Sequence, residues 1–218
     1  MPRTAFLLLA GLAVGHPTLA AQTTKGCDPA ADRAGRTLGC YVTLRQELGR
    51  LPRDTAIYWY IDSLADSSTY TPPPGTRSAV VHSLGATWLF TIGPAGLPSR
   101  AGRRVYIVGP FPLVQADSFT ATYMEGVFTP GMITPAHRHP GAEGWYTVQG
   151  TQCLETPSGI TVQRAGEGGG IAIGGVPMQL SGVGTEIRRS LVLILQDASQ
   201  PLQSPATDWT PKGLCRNL

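Results

Sequence analysis

Residues 131–150 read GMITPAHRHPGAEGWYTVQG. Two histidines, His137 and His139, stand two positions apart, and Glu143 follows four positions later. In an extended strand, residues i and i+2 leave the same face, so both imidazoles point one way. Pro140-Gly141-Ala142 is a turn signal that can swing the chain round and bring a carboxylate back to the same point. Two neutral nitrogens and one anionic oxygen converging there suit a divalent first-row metal. A lone H-x-H pair would carry little weight, because surface histidine pairs are common.

The surrounding positions add the weight. Gly131, five residues, His137-x-His139, three residues, Glu143, six residues and Gly150 together resemble the first motif of the cupin superfamily, with every fixed position filled. The resemblance covers this motif and, less distinctly, the strands to about residue 197. It implies a double-stranded β-helix, a small jelly-roll barrel of two sheets, with the site in its mouth. It implies a divalent metal cofactor (Fe, Mn, Ni, Cu or Zn) on His137, His139 and Glu143. The chain departs from the family at the second motif, whose histidine normally adds a ligand. The corresponding stretch, Gly166–Gln179, places Met178 or Gln179 at that position depending on register. No histidine follows His139. Gln179 is therefore the expected extra ligand, since an amide oxygen suits a hard ion better than a thioether. Trp145, two residues beyond Glu143, is expected to face the same pocket as a ligand-binding residue. Metal cupins include dioxygenases, isomerases, epimerases and lyases, while other cupins only bind sugars or small ligands. The expectation is accordingly a metal-dependent oxygenase or isomerase acting on a small molecule. The alternative is a noncatalytic ligand-binding module with a degenerate metal site. Glu155 and Arg138 are acid–base candidates only through nearness in sequence.

The chain opens MPRTAFLLLAGLAVGHPTLAAQ: one arginine, an apolar run, then small residues. That order predicts a secretory signal peptide over residues 1–21 and an exported protein, periplasmic or extracellular. Without it, 16 basic residues face 14 acidic ones, a formal charge of +2. Such balance excludes a nucleic-acid binder or a polybasic membrane binder, and leaves a small-molecule ligand or substrate, with homodimerisation as an option. The four cysteines, Cys27, Cys40, Cys153 and Cys215, allow three pairings in an exported chain. Cys27–Cys40 and Cys153–Cys215 are favoured, one closing a short loop and the other tying the tail to the barrel.

Charged residues make up 14% of the chain, against 27 glycines and 19 prolines, which points to an all-β protein rich in turns. Residues 22–115 read as an N-terminal extension that adds strands to the barrel or forms a degenerate first half. Residues 116–198 read as the barrel core and 199–218 as a surface tail. Within the extension, Leu44, Leu48 and Leu51 fall at helical spacing and Thr43/Gln46 resembles a capping box, predicting one short helix. Strands are expected at 55–62, 78–83, 87–92 and 104–108. From Ser118 they follow quickly: 118–128, 132–139, 144–149, 152–155, 161–164, 171–173, 178–183 and 185–195. His82, inside an apolar strand, is either a core or edge histidine or a displaced ligand.

Overall fold

The computed structural model describes residues 27–65 and 70–218. The leader expected over residues 1–21 lies outside the described residues. The N-terminal part supplies β1 (Cys27–Pro29), β2 (Gly39–Gly49), β3 (Ile57–Leu64), β4 (Ser78–Ser83), β5 (Ala86–Pro94) and β6 (Arg103–Val108). The next part supplies β7 (Phe119–Phe128), β8 (His137–Arg138), β9 (Ala142–Gln149), β10 (Thr151–Thr156) and β11 (Gly159–Arg164). It continues with β12 (Gly169–Ala172), β13 (Gln179–Val183) and β14 (Arg188–Asp197), and the tail adds β15 (Ser204–Pro205). The only helical element among the described residues is a 3-10 turn, Ala30–Arg33.

A six-stranded sheet, ordered β1-β2-β7-β14-β9-β12, forms the middle layer. Both of its faces are covered, which is why all ten positions of β7 are buried. Side-chain alternation then divides the sheet cleanly. Tyr123, Leu191, Leu193 and Leu195 point to one core with Trp59 and Phe90. Met124, Phe128, Val192 and Ile194 point to the other, with Leu154, Met178 and Leu180. The second core lies between the middle sheet and a three-stranded sheet, β11-β10-β13, and this pair of sheets makes the barrel.

The N-terminal extension contributes in two ways. β1 and β2 join the middle sheet. β3 to β6 form a separate four-stranded sheet, β4-β5-β3-β6, that packs on the sheet's outer face. An aromatic cluster seals that contact: Trp59 meets Phe90 edge-on at 5.1 Å, and Phe90 meets Tyr123 of β7 at 5.0 Å.

The predicted helix over Thr43–Gly49 is strand β2 instead. Leu44 and Leu48 satisfy a period of two as well as a helical period, and the ladder to β7 decides between them. The supposed capping residues serve the sheets. Thr43 Oγ1 donates to Tyr123 O at 3.1 Å, and Gln46 Nε2 donates to Ser78 O at 3.3 Å. The strand expected over 132–139 shrinks to the two residues of β8, preceded by an isolated bridge, Ile133 to Ser181. Pro135 interrupts the stretch and removes a ladder donor. Both favoured disulfides are present, Cys27–Cys40 between β1 and β2 and Cys153–Cys215 between β10 and the tail. No free cysteine occurs among the described residues.

Candidate metal centre

His137 opens β8, His139 follows it, and Glu143 is the second residue of β9. The turn between them is tight because Gly141 lies against the backbone of Leu195 and Gln196 in β14, where a Cβ would collide. One candidate ligand atom from each of His137, His139 and Glu143 lies within 4.8 Å of the others. His139 Nε2 stands 3.5 Å from Glu143 Oε2, and the two imidazole rings meet edge-on at 5.0 Å.

Each ring is held by its far nitrogen. His137 Nδ1–H donates to Pro135 O at 2.9 Å, and His139 Nδ1–H donates to Leu202 O at 2.7 Å. A carbonyl accepts only, so in the neutral ring each Nε2 keeps its lone pair free toward the cluster. Burial favours that neutral form. It pulls His139 down to about 4, against the opposing pull of the Leu202 hydrogen bond. His137 is lowered too, by burial and by His139, with Glu143 and the Pro135 carbonyl acting the other way. Burial raises the Glu143 carboxyl, while His137 and Arg188 lower it. A cation at the centre would reverse that penalty on the carboxylate. Two oriented, neutral imidazoles and one buried carboxylate fit a divalent transition metal.

The other expected residues are placed elsewhere. Gln179 lies on the opposite face of β13 from Leu180; its Nε2 donates to Thr134 O at 3.0 Å. It lines a separate cavity with Glu155 and Arg216, so it does not join the trio as a further ligand. Met178 is the residue that sits beside the histidines, paired with His137 through two backbone hydrogen bonds of 3.0 and 2.8 Å. Its side chain is buried in the barrel core. The register that reads Met178 at the family's histidine position is the one this backbone pairing favours. Trp145 is a core residue with Met124 and Phe128 and is not part of the cavity wall at the trio. Strand alternation put it on the right face, but one layer too deep. His82 is exposed on the outer sheet, with Nδ1 3.1 Å from Thr87 Oγ1, and is no displaced ligand. Glu155 accepts the backbone N–H groups of Lys212 and Leu214, and Arg138 pairs with Asp208 at 2.7 Å. Both therefore hold the tail and are not acid–base groups of the centre.

A small cavity of ≈ 40 Å³ adjoins the trio. Its wall includes the Cys27–Cys40 disulfide, Phe128, Thr134, Val192 and the guanidinium-bearing Arg188. Sequence reasoning passed over Arg188, although the signal was there. Counting back by twos from Val192 and Ser190 in β14 places Arg188 on the interior face.

No protein-family model and no curated protein matches this chain. Solved structures similar to it include a cupin domain from Bordetella pertussis Tohama I, 22% identical over 35% of this chain and 81% of that one, with a TM-score of 0.31. A cupin-like protein from Thermotoga maritima MSB8 is 15% identical over 43% of this chain and 66% of that one, TM-score 0.36. A conserved protein with a double-stranded β-helix domain from Klebsiella pneumoniae MGH 78578 is 18% identical over 51% and 84%, TM-score 0.35. At these identities any likeness is one of fold. Within this chain, the two facing sheets form a barrel of the kind that the spacing of the motif residues leads one to expect.

Proposed function

We propose that this is an exported cupin-type protein that holds one divalent metal ion on His137, His139 and Glu143 and uses it to act on a small molecule. The observation that carries this reading is the pairing of convergence with orientation. The candidate ligand atoms lie within 4.8 Å of one another, and each imidazole has its other nitrogen committed to a backbone carbonyl. When bound, such an ion (Fe, Mn, Ni, Cu or Zn) supplies Lewis acidity or redox chemistry with coordination positions left open. The chain's own part is to hold neutral rings in one tautomer, keep the carboxylate buried and exclude bulk water with Phe128, Leu180 and Val192. The proposed activity is that of an oxygenase or isomerase. Two disulfides favour an oxidising compartment, and among the described residues no helix is long and apolar enough to cross a membrane.

One observation favours the rival reading, a noncatalytic binding module: the position expected to carry a third histidine is the buried thioether Met178. Turnover separates the two. The metal-loaded protein and its His139→Ala variant are screened for oxygen consumption and for isomerisation of small hydroxy- and keto-acids. Turnover lost in the variant supports the enzyme. Ligand-induced thermal stabilisation without turnover supports the binding module.

A further inference from the structure

Arg188 is among the largest fully buried side chains, with 1% of its surface exposed, yet it lines the cavity beside the trio. Two of its three nitrogens are accounted for. Nε–H donates to Ser190 Oγ at 2.9 Å, and Nη2–H donates to Gln152 Oε1. Among the described residues, Nη1 makes no hydrogen bond. The space it occupies is kept open by Gly126 on β7, since a Cβ there would stand 2.6 Å from Nη1. The face of Phe128 backs the guanidinium at 4.9 Å. The group is thus fixed from three sides, with its remaining donor edge free.

Charge balance shows what that edge is for. Among the residues lining the cavity, Glu143 is the one carboxylate and Arg188 the one guanidinium. A divalent cation on the same carboxylate leaves an excess of two positive charges in a buried site. Uncompensated buried charge is strongly unfavourable, so a site of this composition calls for an anion. A guanidinium presents planar N–H donors that match a carboxylate. The cavity of ≈ 40 Å³ admits only about two or three water-sized groups, which limits the ligand to a compact one. Leu180 from the facing sheet, with Met124 and Val192 on the same sheet as Arg188, suits a short hydrocarbon portion and offers no charge.

We infer that the small molecule taken by this site is a carboxylate, held by Arg188 beside the metal ion, and that Arg188 decides acid over neutral ligands. This rests on the metal reading given above and adds the ligand class to it.

The test uses the full mature chain loaded with Co²⁺, whose visible absorption reports any change around the ion. Acetate is titrated as the probe, with acetamide as its neutral counterpart. The wild type is expected to show a saturable spectral change with acetate and none with acetamide. Arg188→Met should weaken the acetate response about tenfold or more while binding Co²⁺ at least as tightly, because a repelling charge has gone. Arg188→Lys, which keeps the charge and loses the fork, should lie between, and it serves if the methionine variant does not fold. An acetate response equal in wild type and variants, or an equal response to acetamide, overturns the role of Arg188 while the Co²⁺ spectrum itself upholds the metal site. A wild type that takes up no Co²⁺ overturns the metal reading, and this inference with it.

Discussion

His139 donates its Nδ1–H to the carbonyl of Leu202, 63 residues further along the chain, at 2.7 Å. The C-terminal tail therefore orients a candidate metal ligand. Four ties keep it there: the β15–β8 pairing, the Arg138–Asp208 ion pair, the amides at 212 and 214 on Glu155, and the Cys153–Cys215 disulfide.

Loosening that strap should weaken metal binding without touching a ligand. Cys215→Ser removes the distal anchor, and Asp208→Ala removes the charge pair next to β8. The double variant is expected to bind Zn²⁺ about tenfold more weakly, in the range seen when a histidine loses its outer partner. Competition with a chromophoric chelator measures this. An unchanged affinity would show that the tail is a bystander. The disulfide closes a separation of 62 residues, so its loss should also lower global stability by about 4 kcal/mol in urea melts.

The acid response of the metal-free protein follows from His139. Its folded value, about 4, lies below the ordinary 6.5, so between these the unfolded chain binds more protons. The His139 contribution is present in full above pH 6.5 and is lost as pH falls toward 4. The size is of the order of 3 kcal/mol. Glu143, raised by burial, acts in the opposite sense and is common to wild type and variant. The wild type should therefore lose about 3 kcal/mol more than His139→Gln between pH 6.5 and 4. Parallel urea-derived stability profiles for the two proteins would refute a buried neutral imidazole.

Gln179 and Met178 should behave as their positions dictate. Gln179→Ala is expected to leave metal affinity within about twofold, because the side chain serves Thr134 and not the trio. Met178→Ala should cost about 2–4 kcal/mol, as expected for truncating a side chain with 1% exposure in a packed core. A large loss of metal on Gln179→Ala would place that amide among the ligands after all.

The barrel and its trio were legible because their signal is local. His137, His139 and Glu143 are bound together by strand alternation and one turn, over seven residues. The β14 strand announced itself through the unbroken apolar run Leu191–Leu195, and β7 through a stretch rich in aromatic and β-branched residues. What stayed hidden depends on distant partners. Leu44 and Leu48 fit either period until β7 pairs with them. Gln179 and Met178 differ by one residue, and one residue of register in a strand exchanges the two faces. Leu202 acts through its backbone, so no side chain marks it. Arg188 belongs to no motif and stands beside a second arginine, Arg189, although strand period alone assigns it inward.

The most direct measurement is the metal content of the mature protein, purified without a histidine tag and quantified by elemental analysis. The expected result is close to one Fe, Mn, Ni, Cu or Zn per chain, lost in His137→Ala and retained in Gln179→Ala. A folded wild type that carries no metal and cannot be loaded with any of the five would contradict it.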